Sequence, residues 1–139
     1  MFDLIIVDHN NKTIRPCDLK TTGKDEHEFC KSFIDWKYYL QATMYTAILQ
    51  DIISKDEYFK DFTILPYEFI VINKYTQTPL VWIFEDNFHI GDFITKDGVE
   101  CKGWERLLKE LNWHLETGKM DYSYDAYISN GVMQLNTFK

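Results

Sequence analysis

Three ionisable residues, Asp3, Asp18 and Lys20, have types and spacing that suit phosphate chemistry. Asp18 and Lys20 stand two apart in "DLKTTG", residues 18–23, so on a strand both side chains point to one face. Asp3 opens "DLIIVD", and the turn signal "HNNK" separates that run from "TIRPCDLK". A hairpin over these residues sets the start of its first strand beside the end of its second. Two carboxylates and one ammonium then meet at one sheet edge. Hard cations such as Mg²⁺ or Mn²⁺ take one or two carboxylates, with water and phosphate oxygens completing the shell. Such an ion polarises a phosphodiester and makes an attacking water more acidic. Asp3 and Asp18 are the candidate metal ligands, with the Leu19 carbonyl as a further donor. Lys20 is the candidate stabiliser of charge developing on the phosphate. Alone, the D-x-K triplet reads as a salt bridge on a solvated strand face, with Lys20 an exposed edge residue whose loss costs little.

A helix-period segment follows the hairpin. Between residues 33 and 53 the apolar positions Trp36, Tyr39, Leu40, Met44, Ala47, Ile48 and Ile52 recur at steps of three and four, which predicts one helix packed along that stripe. Gln41 and Tyr45 lie four apart and share a face. The Gln41 amide can hold the geometry of a metal site or a phosphate, and the Tyr45 phenol can reach a nucleic-acid backbone. A surface Gln–Tyr pair is the plain alternative.

These residues, in this order, resemble the PD-(D/E)xK nuclease superfamily, in the branch of RecB-like nuclease domains, Cas4-type nucleases and phage exonuclease VIII-like proteins. The matches are Asp3, "DLKTTG" with Asp18 and Lys20, and "QATMY" with Gln41 and Tyr45. The resemblance is close over residues 1 to 50 and weak beyond. It implies a restriction-endonuclease-like α/β (mixed α+β) core, a small mixed sheet flanked by helices. It also implies Mg²⁺- or Mn²⁺-dependent cleavage of DNA, exonucleolytic in this branch, in recombination or repair of phage type. By position, Asp3, Asp18, Lys20, Gln41 and Tyr45 become catalytic-site residues, with Asp3, Asp18 and Leu19 on the metal. The branch carries helices ahead of its first Asp that supply a Glu or His. The expectation is therefore that residues 1–139 are one domain, the C-terminal part of a larger one, and that the chain alone cleaves poorly. Apolar surface from Leu4, Ile6 and the first helix would then lie open and drive homo-oligomer formation. An inactive nuclease-like module binding nucleic acid or protein is the second reading, and a structural α+β domain with an accidental D-x-K the third.

The remaining elements agree with a layered fold. "YEFIVIN" (67–73) and "PLVWIFE" (79–85) read as strands joined by a hairpin, and 86–101 as a loop. In "KGWERLLKELNWHLETGK", Trp104, Leu107, Leu108, Leu111 and Leu115 predict a helix, with Gly118 where a helix-ending glycine belongs. A short strand is expected near 132–135. Pro16 marks a bulge or an unpaired backbone position.

Composition bounds the rest. The 139 residues are 45% hydrophobic and 27% charged, as in a soluble globular protein. No run is long enough for a membrane span and no signal peptide is visible, so the expected location is cytoplasmic. Three widely spaced cysteines, Cys17, Cys30 and Cys101, give neither a disulfide framework nor an iron–sulfur pattern. The net charge of -7 lacks the usual basic footprint of a DNA-binding protein. A local basic strip from Lys24, Lys31 and Lys37 could still track DNA, and Thr21 and Thr22 could donate to a phosphate.

Overall fold

The computed structural model describes residues 1–135. Mixed α/β architecture is present, as expected. Strand β1 (Leu4–Asp8) pairs antiparallel with β2 (Thr13–Thr22) in an unbroken register from Leu4↔Cys17 to Asp8↔Thr13. After a 3₁₀ turn at Glu26–Glu28 come α1 (Phe29–Asp35) and α2 (Tyr38–Ser54). The short β3 (Thr63–Ile64), β4 (Tyr67–Asn73) and β5 (Pro79–Phe84) follow. The main sheet is five-stranded, ordered β1-β2-β4-β5, with β3 on β2. β2 and β4 run parallel from Cys17↔Glu68 to Thr22↔Asn73. Parallel neighbours need a crossover connection, and α1 and α2 lie within it.

The register leaves no bulge at Pro16. β2 pairs β3 at Thr13 and Ile14 and β4 from Cys17 onward. Pro16 therefore falls in the gap between these two partners, where β2 has no ladder bond for a missing N–H to break.

The helices cover one face of this sheet. Phe29 and Ala42 pack with Tyr67, Phe69 and Val71. Leu49 and Ile53 pack with Ile14, Phe62 and Ile64. Asn87, fully buried, donates to Thr46 Oγ1 at 3.1 Å and to the Leu65 carbonyl at 3.3 Å, which ties the chain after β5 to α2.

Two helix expectations need correction. The single helix over 33–53 is broken at Trp36 and Lys37, where Lys37 takes a left-handed φ of 55°. The buried face of α2 is also not the apolar stripe. Tyr39, Ala42, Thr43, Thr46, Leu49 and Ile53 face the sheet, while Met44, Ile48 and Ile52 are exposed, Ile52 by 57%. Thr43 fits inside because its hydroxyl donates to the Tyr39 carbonyl at 2.8 Å, and Thr46 because it accepts from Asn87. Small hydroxyl residues let the helix sit close to the large rings of β4.

Contacts divide the chain into two compact units, Met1–Ile90 and Gly91–Lys139. The second has its own small aromatic core, in which Trp113 packs on Tyr124 and Tyr127. Its expected loop contains the short antiparallel pair β6 (Phe93–Ile94) and β7 (Glu100–Cys101). The helix α3 (Trp104–Thr117) ends at Gly118 with φ 69°, as its sequence predicts. A short α4 (Tyr124–Ile128) follows, and 132–135 form no strand. Leu108, Leu111 and Leu115 on α3 are exposed, Leu115 by 63%. No described helix is long and apolar enough to cross a membrane.

Candidate active site

The parallel pairing of β2 and β4 sets the site. It places the early turns of α2 over the carboxyl-terminal half of β2, the end at which α/β sheets offer crevices to ligands. Asp18, opposite Phe69 in the register, points beneath the helix and is only 2% exposed. Gln41 Nε2 donates to Asp18 Oδ1 at 2.5 Å. Lys20 Nζ lies 2.5 Å from Asp18 Oδ2 and donates to Gln41 Oε1 at 3.1 Å. Carboxylate, ammonium and amide thus close a triangle. Only one orientation of Gln41 serves it, since the carboxylate needs a donor and the ammonium an acceptor.

Asp3 stands just before β1 and joins the triangle's open side. Its Oδ2 accepts from the Leu19 N–H at 3.0 Å. That bond holds the Asp3 carboxyl below the ordinary carboxylate range, helped by Asp18 within hydrogen-bond reach and by the charge of Lys20. In an extended strand one residue's N–H and C=O point to the same edge. The Leu19 carbonyl therefore faces the Asp3 side, beyond the Leu4–Cys17 pair that closes the β1–β2 ladder.

The donor set fits a small hard cation. Asp18 Oδ2 is buried, and neither the Lys20 contact nor nearby Asp3 gives it a well-aligned hydrogen bond. Two adjacent carboxylates and a backbone carbonyl offer oxygen donors only, which suits Mg²⁺ or Mn²⁺. Among the described residues no third His, Cys, Asp or Glu joins them.

The expected site residues are mostly brought together. Asp3, Asp18, Leu19, Lys20 and Gln41 converge at one place. Tyr45 lies one turn beyond Gln41, where its hydroxyl accepts from the Met1 amino group at 2.8 Å and its ring packs on Phe2 at 5.2 Å. Lys20 is not the exposed edge residue expected. Its side chain is 20% exposed and caps a buried carboxylate. Lys31 is engaged with Asp35 at 3.1 Å, and Lys37 forms the helix break. Cys17, on the opposite strand face, is buried, and burial pushes its thiol upward.

Two tyrosines escaped the sequence reading. The Tyr38 ring lies under Lys20, 4.4 Å from Nζ to the centroid. Its spacing of three from Gln41 on a helix was the available signal. Tyr67 is fully buried with its hydroxyl unpartnered among the described residues. Its phenol is driven far up, first by burial and then by the charge of Asp18, so it stays neutral. Nothing in a single sequence reveals that β4 lies parallel beside β2, and without that pairing Tyr67 has no visible link to Asp18.

No family model, curated protein or solved structure compared with this chain matches it.

Proposed function

We propose that residues 1–90 form a metal-dependent nuclease core of the restriction-endonuclease-like type that hydrolyses phosphodiester bonds in DNA, with recombination or repair as the setting. The observation that carries this reading is the buried Asp18, gripped by Lys20 and Gln41 with Asp3 alongside. Asp18 is buried while Asp3 beside it is exposed, so the pair opens from the helix-covered layer to solvent, and a cation bound there would relieve the repulsion between the two carboxylates. Asp3, Asp18 and the Leu19 carbonyl would hold Mg²⁺ or Mn²⁺, which supplies Lewis acidity to the scissile phosphate and the attacking water. Lys20 offsets charge that develops on the phosphate oxygens. Gln41 fixes both Asp18 and Lys20, and the aromatic ring of Tyr38 restricts where the ammonium can move. Tyr45 would offer its phenol to the nucleic-acid backbone in place of the Met1 amino group from which it accepts.

The second reading is an inactive module of the same architecture. One observation favours it: Lys20 Nζ sits 2.5 Å from Asp18, in the place a cation would take. A protein built around that ion pair would bind nucleic acid or protein without cleaving. Digestion of linear duplex DNA with Mg²⁺ or Mn²⁺, by wild type and by D18N and K20A, separates the two. Cleavage lost in both variants supports the nuclease. Cleavage by wild type that survives in both variants makes the triangle a bystander, and its absence from wild type favours the inactive module.

A further inference from the structure

Beyond the triangle, at the end of β2, a cavity of about 190 Å³ opens beside Lys20. Its walls include Thr22, Lys24, Ser32, Trp36 and Tyr38, and none of its lining residues carries a carboxylate. That is unusual on a chain of net charge -7. Lys20 is held over Tyr38, while among the described residues Lys24 Nζ makes only a long contact of 3.4 Å to Ser32 Oγ. Lys24 is therefore the ammonium there with capacity for a stronger acceptor. Trp36 is 68% exposed. It sits at the break between α1 and α2, and the left-handed Lys37 after it keeps it out of the helix stripe. An exposed indole beside two lysines and several hydroxyls combines a π face with anion donors.

We propose that this cavity is a nucleotide subsite for single-stranded DNA, in which Trp36 stacks on an unpaired base and Lys24 holds the adjoining phosphate. The choice of strand follows from stacking. In a duplex the base faces are covered by neighbouring pairs, so a surface indole can reach only a base that is free. The lysines then contribute the salt-sensitive part of binding and the indole the base-dependent part. The proposal deepens the nuclease reading by naming the form of its substrate, and rests on that reading only for where the scissile bond lies.

The test is fluorescence anisotropy in EDTA, so that binding is read without cleavage. The probes are a labelled short oligo(dT) and an abasic oligomer of equal length. The proteins are wild type, W36A, W36F and K24A, each checked for fold by circular dichroism. W36A should weaken oligo(dT) binding about 5- to 150-fold, the range for losing one stacked base. It should leave the abasic oligomer unaffected, and W36F should restore part of the loss. K24A should weaken both probes and flatten the salt dependence. Equal binding of the two probes by wild type, unchanged oligo(dT) binding in W36A, or no oligo(dT) binding at all overturns the subsite. Cleavage assays on the same proteins keep the two ideas apart. A wild type that never cleaves, yet loses base-dependent binding in W36A, sinks the nuclease and keeps the subsite.

Discussion

Gln41 donates to Asp18 at 2.5 Å, and through that bond α2 is fixed over β2. The partner oxygen belongs to a carboxylate that is almost wholly buried. Replacing Gln41 by Leu keeps the volume and removes the donor, which leaves a buried acceptor unmet at a cost of about 1–3 kcal/mol. Q41E should be worse at neutral pH, because it sets a third carboxyl against Asp18 and Asp3, and should recover as mild acid protonates the introduced carboxyl, whose anionic neighbours disfavour its charged form. Urea denaturation at neutral and mildly acid pH reads both. Equal stability of Q41E at the two pH values would show that residue 41 does not face the carboxylates.

If the proposed cation binds at Asp18, the Lys20–Asp18 contact makes metal and lysine competitors. K20A should lose cleavage and, without metal, about 1–3 kcal/mol of stability, since a buried carboxylate loses its charge partner while keeping Gln41. Added Mn²⁺ should raise the melting temperature of K20A more than that of wild type, because the ammonium no longer blocks the site. D18N should show little shift with Mn²⁺. Thermal melts over a metal titration decide this, and an equal shift in wild type and D18N would remove Asp18 from the metal.

Much of this geometry was legible in the sequence. Strand alternation put Asp18 and Lys20 on one face, and the hairpin turn brought Asp3 to them. The buried side of α2 was not legible. Its stripe of Met44, Ile48 and Ile52 looks like a core, while the face that packs carries Thr43 and Thr46. Hydroxyls satisfied within the helix or by Asn87 read as polar in any hydrophobicity pattern. The parallel placement of β4, which brings Tyr67 to the site, depends on a crossover of more than 40 residues between β2 and β4. Local patterns carry no trace of such pairing.

Tyr67 tests whether its hydroxyl has work to do. With no hydrogen bond in a buried position it costs stability, so Y67F should melt a few degrees higher. If the phenol instead helps to position Asp18, the proposed cleavage will slow in the same variant. A lower melting temperature for Y67F would show that the hydroxyl has a partner in the folded protein.

The second unit should be acid-sensitive at the start of α3. Asp92 is held below the usual carboxylate range, first by the Gly103 N–H at 2.8 Å and then by Arg106 at 2.9 Å. Lys102, at 2.8 Å, lowers Asp125 in the same way. Groups with depressed folded values stabilise fully above the unfolded carboxylate value, about 3.9. That stabilisation is lost as pH falls through the lower folded values. Helical circular dichroism should therefore persist at pH 5 and decline only below about pH 4. D92N should flatten the decline, and an identical acid profile in D92N would mean that the Asp92 contacts do not stabilise α3.

The last expectation concerns association. By register, Leu4, Cys17, Glu68 and Ile83 form one row on the sheet face opposite α2, and Leu19, Ile70 and Val81 form the next. Arg15 and Glu68 pair at 3.2 Å on that face and cover Cys17, but Leu4, Ile6, Leu19, Val81 and Ile83 stay open, Ile83 by 62%. Leu19, Ile70 and Val81 run side by side across β2, β4 and β5 with Ile83 next to Val81, an apolar strip separated from Leu4 and Ile6 by the Arg15–Glu68 pair, and an exposed apolar strip of this kind is a candidate contact site. A dimer or larger assembly through this face is the expected state in solution. Light scattering on wild type and on V81K/I83K reads it directly, because two charges on the β5 side of an apolar contact weaken association while leaving the opposite, helix-covered core alone. A wild type that scatters as a monomer at high concentration, or a double variant with the mass of wild type, would show that this face does not self-associate.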